Sequence, residues 1–218
     1  MGDSNERVEL PIHAALTLNA RPSPLRVDGH VENPLVLSLG DLDALAQRLL
    51  VDDCTCVAGW SVRGVIWKGV PLMAILELAR VASDTRWIQA SAGEYSVPIS
   101  LDDARRALLA LRLGEQPLPF AHGGPVRLVV PGGECFTSVK WLDRLEARFD
   151  SLANRGRDIA LGRLERAGES AARTSLPHPR ILGGIRRWRE GKGSTEWMDL
   201  PASTLNRVRC RAAAIAGE

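Results

Sequence analysis

Cys54-Thr-Cys-Val-Ala-Gly-Trp-Ser-Val-Arg-Gly-Val-Ile-Trp67 is the stretch on which the reading of this chain turns. An apolar approach, Val51 to Val57, reads as a strand, and Gly59 breaks it. Cys54 and Cys56 are two residues apart, so on a strand their side chains share a face, with Cα atoms roughly 6.5–7 Å apart. That span sits at the far edge of disulfide geometry, so the two read as free thiols. Cys56, at the end of the strand before a glycine turn, is placed to present its sulfur to a cleft. By spacing alone it is either a soft-metal ligand, which must be a thiolate, or a small buried hydrophobe. Zinc is disfavoured: it needs two more ligands, and Cys135 and Cys210 follow no zinc spacing.

Outward from this stretch the chain alternates short strands with a few helices. Leu25 and Val27 alternate toward a turn at Asp28-Gly29, and Val31 follows. A second short strand covers Pro34 to Ser38. Ser38 is set to cap a helix with Asp41 in its first turn, and Leu42, Leu45, Ala46 and Leu49 form its apolar stripe. Pro71 opens another helix, whose buried face is Leu72, Ile75, Leu76 and Ala79. Strands are expected over Arg86–Ser91 and Tyr95–Ile99 about a Gly93-Glu94 turn, and over Val126–Val130 between two prolines. Ser100-x-x-Asp103 caps a short helix. The alternation of Val139, Trp141, Asp143, Leu145, Ala147 and Phe149 predicts a half-buried strand, which would point Lys140 toward solvent. Many short strands with two or three helices give an α+β fold with mixed β-sheets. No nucleotide-binding glycine motif is present.

The 218 residues suffice for one domain with a tail, and a 45% hydrophobic, 25% charged composition is that of a water-soluble globular chain. No apolar run approaches the roughly 18 residues that span a bilayer. The first residues, Met1-Gly2-Asp3-Ser4-Asn5-Glu6-Arg7, show no signal or twin-arginine pattern, which leads to an expectation of cytoplasmic residence. The net charge of +2 divides unevenly. Residues 151–218 carry 13 basic and 7 acidic side chains, the remainder 15 basic and 19 acidic. Three regions are therefore expected: an extended segment 1–23, a folded domain 24–150, and a basic, Arg-rich extension 151–218 that is partly helical or disordered. Arg157 to Arg166 continues as a helix, and a final helix is expected near Thr204 to Ala216.

Further candidates for chemistry lie downstream. In His122-Gly-Gly-Pro-Val-Arg-Leu-Val-Val-Pro-Gly132, the paired glycines let backbone approach a ligand, and Arg127 offers a fork suited to phosphate. The same run also reads as a turn before a core strand. Ser138-Val-Lys140 adds a hydroxyl and an ammonium, and Tyr95 is the only tyrosine. Taken in order, these pieces resemble the sulfite oxidase family of molybdopterin-binding domains. The resemblance is carried by Val27-x-Gly-x-Val-x-Asn-Pro34, Cys56-Val-Ala-Gly-Trp60, Trp67-Lys-Gly-Val-Pro-Leu72, Tyr95 to Asp103, Gly114-Glu-Gln-Pro-Leu-Pro119, His122 to Gly132 and Ser138-Val-Lys-Trp-Leu142. It covers about residues 24–149.

The resemblance implies a molybdenum-molybdopterin cofactor with Cys56 as the metal's protein ligand and Tyr95 beside the reacting oxygen. It implies that His122, Arg127, Ser138 and Lys140 hold the pterin and its phosphate. The activity implied is oxygen-atom transfer on a small substrate, a sulfoxide or an oxyanion, with a separate electron-transfer partner, since the chain has no haem-binding Cys-x-x-Cys-His. Sulfite oxidases follow their cysteine with Gly-Asn-Arg, whereas this chain has Ala58-Gly59-Trp60, which weighs against sulfite. The alternative is a non-catalytic module of the same fold whose basic tail binds nucleic acid, an anionic surface or a partner protein. Nucleic acid is disfavoured by the acidic residues interspersed through that tail.

Overall fold

The structure, a computed structural model, describes residues 10, 23–57, 60–173 and 197–199. In chain order its elements are β1 (Leu25–Gly29), β2 (Leu35–Leu37), α1 (Leu39–Asp43), β3 (Arg48–Thr55), β4 (Ser61–Pro71), α2 (Leu72–Ala79), β5 (Trp87–Ala92) and β6 (Tyr95–Ser100). There follow α3 (Leu101–Arg106), β7 (Leu108–Leu113), β8 (Gln116–Pro117), β9 (Arg127–Val129), β10 (Arg144–Arg148), α4 (Arg155–Arg173) and β11 (Trp197–Asp199). The mixed α+β class expected from the sequence is the observed one.

Two sheets divide these strands. One runs β2-β1-β10-β5-β6, and its one parallel pair, β1 with β10, joins residues more than a hundred apart. There Arg144 forks onto Asp28, with Nε at 3.1 and 3.0 Å from the two carboxylate oxygens. The other runs β11-β3-β4-β7-β8, with β9 also pairing β7. The main core lies between the sheets and α2, and includes Val27, Ile75, Leu109, Leu128 and Leu145. A second core, around Leu50, Val65, Trp67, Leu108, Ala110 and Val129, covers the other face of the six-stranded sheet. This explains why Leu108 to Leu111 is one apolar run rather than an alternation: 108 and 110 enter one core, 109 and 111 the other.

Several sequence expectations are met closely. Ser38 caps α1 in a full capping box with Asp41, Ser100 accepts from Asp103 N–H, and α2 buries Leu72, Ile75, Leu76 and Ala79. Others need correction. The helix after Ser38 ends by Ala44, and Leu49, assigned to its stripe, belongs to β3. The strand of residues 139–149 is confined to Arg144–Arg148, and Trp141 sits at φ +55. Lys140 is consequently half-buried rather than solvent-facing.

The division at residue 150 is crossed by packing. Helix α4 lies against β6, and Gly156 comes so close to Tyr95 that a Cβ there would stand 2.6 Å from the ring's Cζ. Strand β11 pairs antiparallel with the start of β3, Trp197 opposite Leu50. The expected helix near 204–216, the N-terminal segment apart from Leu10, and the Ala58-Gly59 turn lie outside the described residues.

Candidate functional site

The site grows from three loops at one end of the six-stranded sheet. The first is the β3–β4 connection. Pairing slips one register between Asp52 and Cys54, a bulge that re-aims the strand end, and Cys56 N–H closes the connection on Trp60 O at 2.9 Å. The second is the 3-10 turn Phe120–His122 with Gly123-Gly124-Pro125. The third runs from Gly132 to Leu142 and contains a 3-10 turn at Cys135–Thr137.

The second loop is tied to the third and to β9 through successive carbonyls. Phe120 O accepts from Trp141 Nε1 at 2.9 Å, and Ala121 O from Lys140 Nζ at 3.1 Å. His122 O accepts from Arg127 Nη1 at 3.1 Å, and Gly123 O from Trp141 N–H at 2.9 Å. These bonds force the turn at Trp141 that breaks the anticipated strand, and they hold Lys140 over the glycine loop.

Arg127 is the centre. It projects from β9 on the second-core side and is 6% exposed, with its guanidinium 4.9 Å from the Trp67 ring centroid. Cys54 lies against it. Its Nε is buried without a hydrogen-bond partner, and no ion pair among the described residues joins it to a carboxylate. Burial depresses its pKa, and burial followed by the nearby Arg127 charge does the same to Lys140. His122 is lowered by burial, then by Lys140 and Arg127. Arg127 thus disfavours the charge on Lys140, and both disfavour it on His122, so three basic groups share a small volume, the arrangement expected of an anion site.

Thiols form the other half. Cys54, Cys56 and Cys135 are all free and half-buried. Cys135 Sγ stands 3.5 Å from Cys56 Sγ and accepts from Val57 N–H at 3.5 Å. Burial raises Cys54 and pushes Cys135 up to about 11. Asp52, Cys54, Trp67, Arg127, Cys135 and Ser138 line a cleft between the β3 end and the third loop. Cys56 reaches this cleft through its contact with Cys135 rather than by lining it. Tyr95 Oη donates to Phe136 O at 2.7 Å, so it meets the loop bearing Cys135 from the other sheet. Burial raises its pKa to about 12.

The predicted residues Cys56, Tyr95, His122, Arg127, Ser138 and Lys140 are therefore all on these loops or in contact with them. Sequence reasoning passed over Asp52, Trp67 and Cys135 as site residues. Trp67 was signalled by its place in Trp67-Lys-Gly-Val-Pro-Leu72, one of the stretches that carry the resemblance; nothing local marked Cys135.

The donor set suits one kind of group. Among the described residues no three His, Cys, Asp or Glu side chains are arranged to hold a metal ion. A soft metal here can take a thiolate from the chain but needs its remaining ligands from an organic cofactor. The orphaned guanidinium nitrogen and the cationic cluster suit that cofactor's phosphate. Gly123, at φ +102, brings backbone so near Lys140 that a Cβ would stand 2.7 Å from its Cγ.

A thiol beside an uncompensated cation cluster, on a mixed-sheet α+β frame, defines a class: a domain for an anionic, metal-carrying cofactor. More narrowly, residues 13–154 match the model of the oxidoreductase molybdopterin binding domain, and the chain belongs to that family. It is 36% identical over 121 residues to the uncharacterized oxidoreductase YuiH of Bacillus subtilis (strain 168), covering 54% of this chain and 61% of that protein. It is 33% identical over 158 residues to the protein-methionine-sulfoxide reductase catalytic subunit MsrP of Xanthomonas axonopodis pv. citri (strain 306), covering 64% of this chain and 48% of that one. Among solved structures, the sulfane dehydrogenase SoxCD from Paracoccus pantotrophus superposes with a TM-score of 0.58 at 27% identity, over 63% of this chain and 41% of that one. The chain thus spans about half the length of the relatives it matches. The resemblance read from the sequence and the family membership agree.

Proposed function

We propose that this chain binds the molybdenum-molybdopterin cofactor through Cys56 and catalyses oxygen-atom transfer from a small sulfoxide, of the kind formed when methionine is oxidised. The observation that carries the reading is Arg127: a buried cation with an orphaned Nε and, among the described residues, no carboxylate counterpart, next to three thiols. The substrate class rests on the similarity to the methionine-sulfoxide reductase subunit over 64% of this chain.

When bound, the cofactor would supply a two-electron centre that exchanges an oxygen atom. The chain's own residues divide the remaining work. Cys56 contributes the single protein thiolate. Arg127, Lys140 and His122 would hold the phosphate, which would relieve the like-charge cost that Arg127 imposes on Lys140 and that both impose on His122, and the Ser138 hydroxyl faces the same cleft. Tyr95, with its pKa pushed up to about 12, keeps its proton at working pH and acts as a donor. Released from Phe136 O, that hydroxyl donates to the sulfoxide oxygen. The net reaction consumes one sulfoxide, two electrons and two protons and yields the corresponding sulfide and water. The electrons come from a separate protein or domain, since the sequence has no haem-attachment motif.

Cys56→Ser tests the ligand role. The expected outcome is loss of both molybdenum and methionine-sulfoxide reduction by a reduced dye, with unchanged far-ultraviolet dichroism. Equal metal content and turnover in variant and wild type refute it.

A further inference from the structure

The third thiol has no part in the scheme above, and its position gives it one. Cys135 Sγ and Cys56 Sγ are 3.5 Å apart although the residues are 79 positions apart in sequence. A disulfide needs about 2.05 Å between sulfurs. The remaining gap is within reach of side-chain rotation, because Cys135 sits on a loop fastened to β3 mainly by exposed contacts, such as Gly132 N–H to Asp52 Oδ2 at 3.4 Å. Cys54, also half-buried, lines the cleft beside Arg127 instead.

We propose that Cys56 and Cys135 form a reversible disulfide that withdraws Cys56 from metal binding, so that the cofactor is accepted only when the pair is reduced. The oxidant is a small-molecule disulfide. Cys56, as thiolate, attacks one sulfur of that reagent, giving a mixed disulfide and releasing one small thiolate. Cys135, as thiolate, attacks the Cys56 sulfur, forming the internal bond and expelling the second small thiolate. Two thiol protons end on the two released thiolates, and two electrons pass from the protein to the reagent. The bond itself stands on the sulfur geometry alone. The effect on cofactor acceptance rests on the proposed role of Cys56.

The test uses the full chain, free of cofactor, incubated with glutathione disulfide and then alkylated in denaturant. The expected product is two hydrogens lighter, and two of the four cysteines no longer alkylate. Peptide mapping should find residues 56 and 135 joined, with reversal by dithiothreitol. Cys54→Ser retains the bond and Cys135→Ser lacks it. Because mapping of the wild type needs no variant, a misfolded substitution leaves the result intact. Four alkylated cysteines, a stable glutathione adduct, or a bond that joins Cys54 or Cys210 overturns the inference. The reduced and oxidised forms are then offered molybdenum cofactor and metal uptake is measured. Uptake by the reduced form with loss of most uptake in the oxidised form supports the gating. Equal uptake with the 56–135 bond in place leaves the bond standing but overturns both the gating and the ligand role of Cys56.

Discussion

Gly123→Ala probes how the site is held, and the structure sets its size. At φ +102 an alanine is strained, and left-handed backbone costs an L-residue roughly 1–2 kcal/mol. The added Cβ would also meet Lys140 Cγ, Cβ and Cα at 2.7, 2.8 and 2.9 Å. Two of those atoms belong to the root of the side chain, so the clash is relieved only by moving backbone, which overpacking data put at about 1–3 kcal/mol. The combined loss is about 2–5 kcal/mol. Gly114→Ala separates the two contributions: it has φ +57 and nothing within 4 Å of the added Cβ, so it carries strain alone. Urea unfolding of wild type and both variants at neutral pH is the assay, with the midpoint and slope compared. Gly123→Ala should lose about 1–3 kcal/mol more than Gly114→Ala. Binding of inorganic phosphate, read as a shift in the melting temperature, should weaken only in Gly123→Ala, because Lys140 is displaced. Equal losses in the two variants would mean that the glycine loop does not position Lys140.

Two further outcomes follow from the charges. Arg127→Met removes a charged hydrogen bond of about 1.5–3 kcal/mol and a desolvated cation–π contact of about 2 kcal/mol, but also an unpaired buried cation whose desolvation costs several kcal/mol. The cofactor-free variant should unfold within about 1 kcal/mol of wild type, whereas breaking a matched buried pair costs about 3–5 kcal/mol, and it should lose the phosphate-induced rise in melting temperature; a loss above about 3 kcal/mol refutes the idea that the cation lacks a structural counterpart. Asp52, raised above the ordinary carboxylate value by burial despite the Gly132 N–H, contributes stability that is complete below pH 3.8 and lost as pH rises through its folded value. Asp52→Asn should therefore melt above wild type at pH 7, with the gap closing as the pH falls toward 4, and an unchanged gap across that range would sink this account.

What the sequence made legible was whatever is decided within one turn or one strand. The Ser38 and Ser100 caps, the stripe of α2 and the β5–β6 hairpin about Gly93 all follow from local rules. Strand β4 did not, because Gly64 and Gly69 fall within Ser61–Pro71, and glycine is a poor strand residue. Its continuity is imposed by β3 on one side and β7 on the other, with a register shift at Lys68/Gly69 to absorb the irregularity. The alternation through Val139 and Trp141 misled for the opposite reason. The pattern is real, but Gly123 O and Phe120 O capture Trp141 and turn the backbone. At the site, Arg127 and Lys140 were visible as residue types suited to phosphate. The approach of Cys135 to Cys56 depends on contacts between distant loops and left no local trace.

These observations tie stability and function together at one place. Arg127, Lys140 and His122 each have their charged form disfavoured by burial, Lys140 also by Arg127, and His122 also by Lys140 and Arg127, so the protein without a bound anion carries a standing electrostatic cost at the loops that build the site. The carbonyls of residues 120–123 offset part of it by accepting from Arg127, Lys140 and Trp141, which fixes the geometry but leaves net charge uncompensated. A bound phosphate removes that cost in the folded state alone, so by linkage it adds to stability in proportion to how well it binds. Sulfur is placed at the same mouth under the opposite constraint. Burial keeps Cys54 and Cys135 protonated, and a metal, a disulfide partner or a nearby cation is what draws a thiolate out. One end of the sheet thus awaits an anion and a soft electrophile together, a pairing that neither a simple phosphate site nor a zinc site requires and that a phosphate-bearing metal cofactor does.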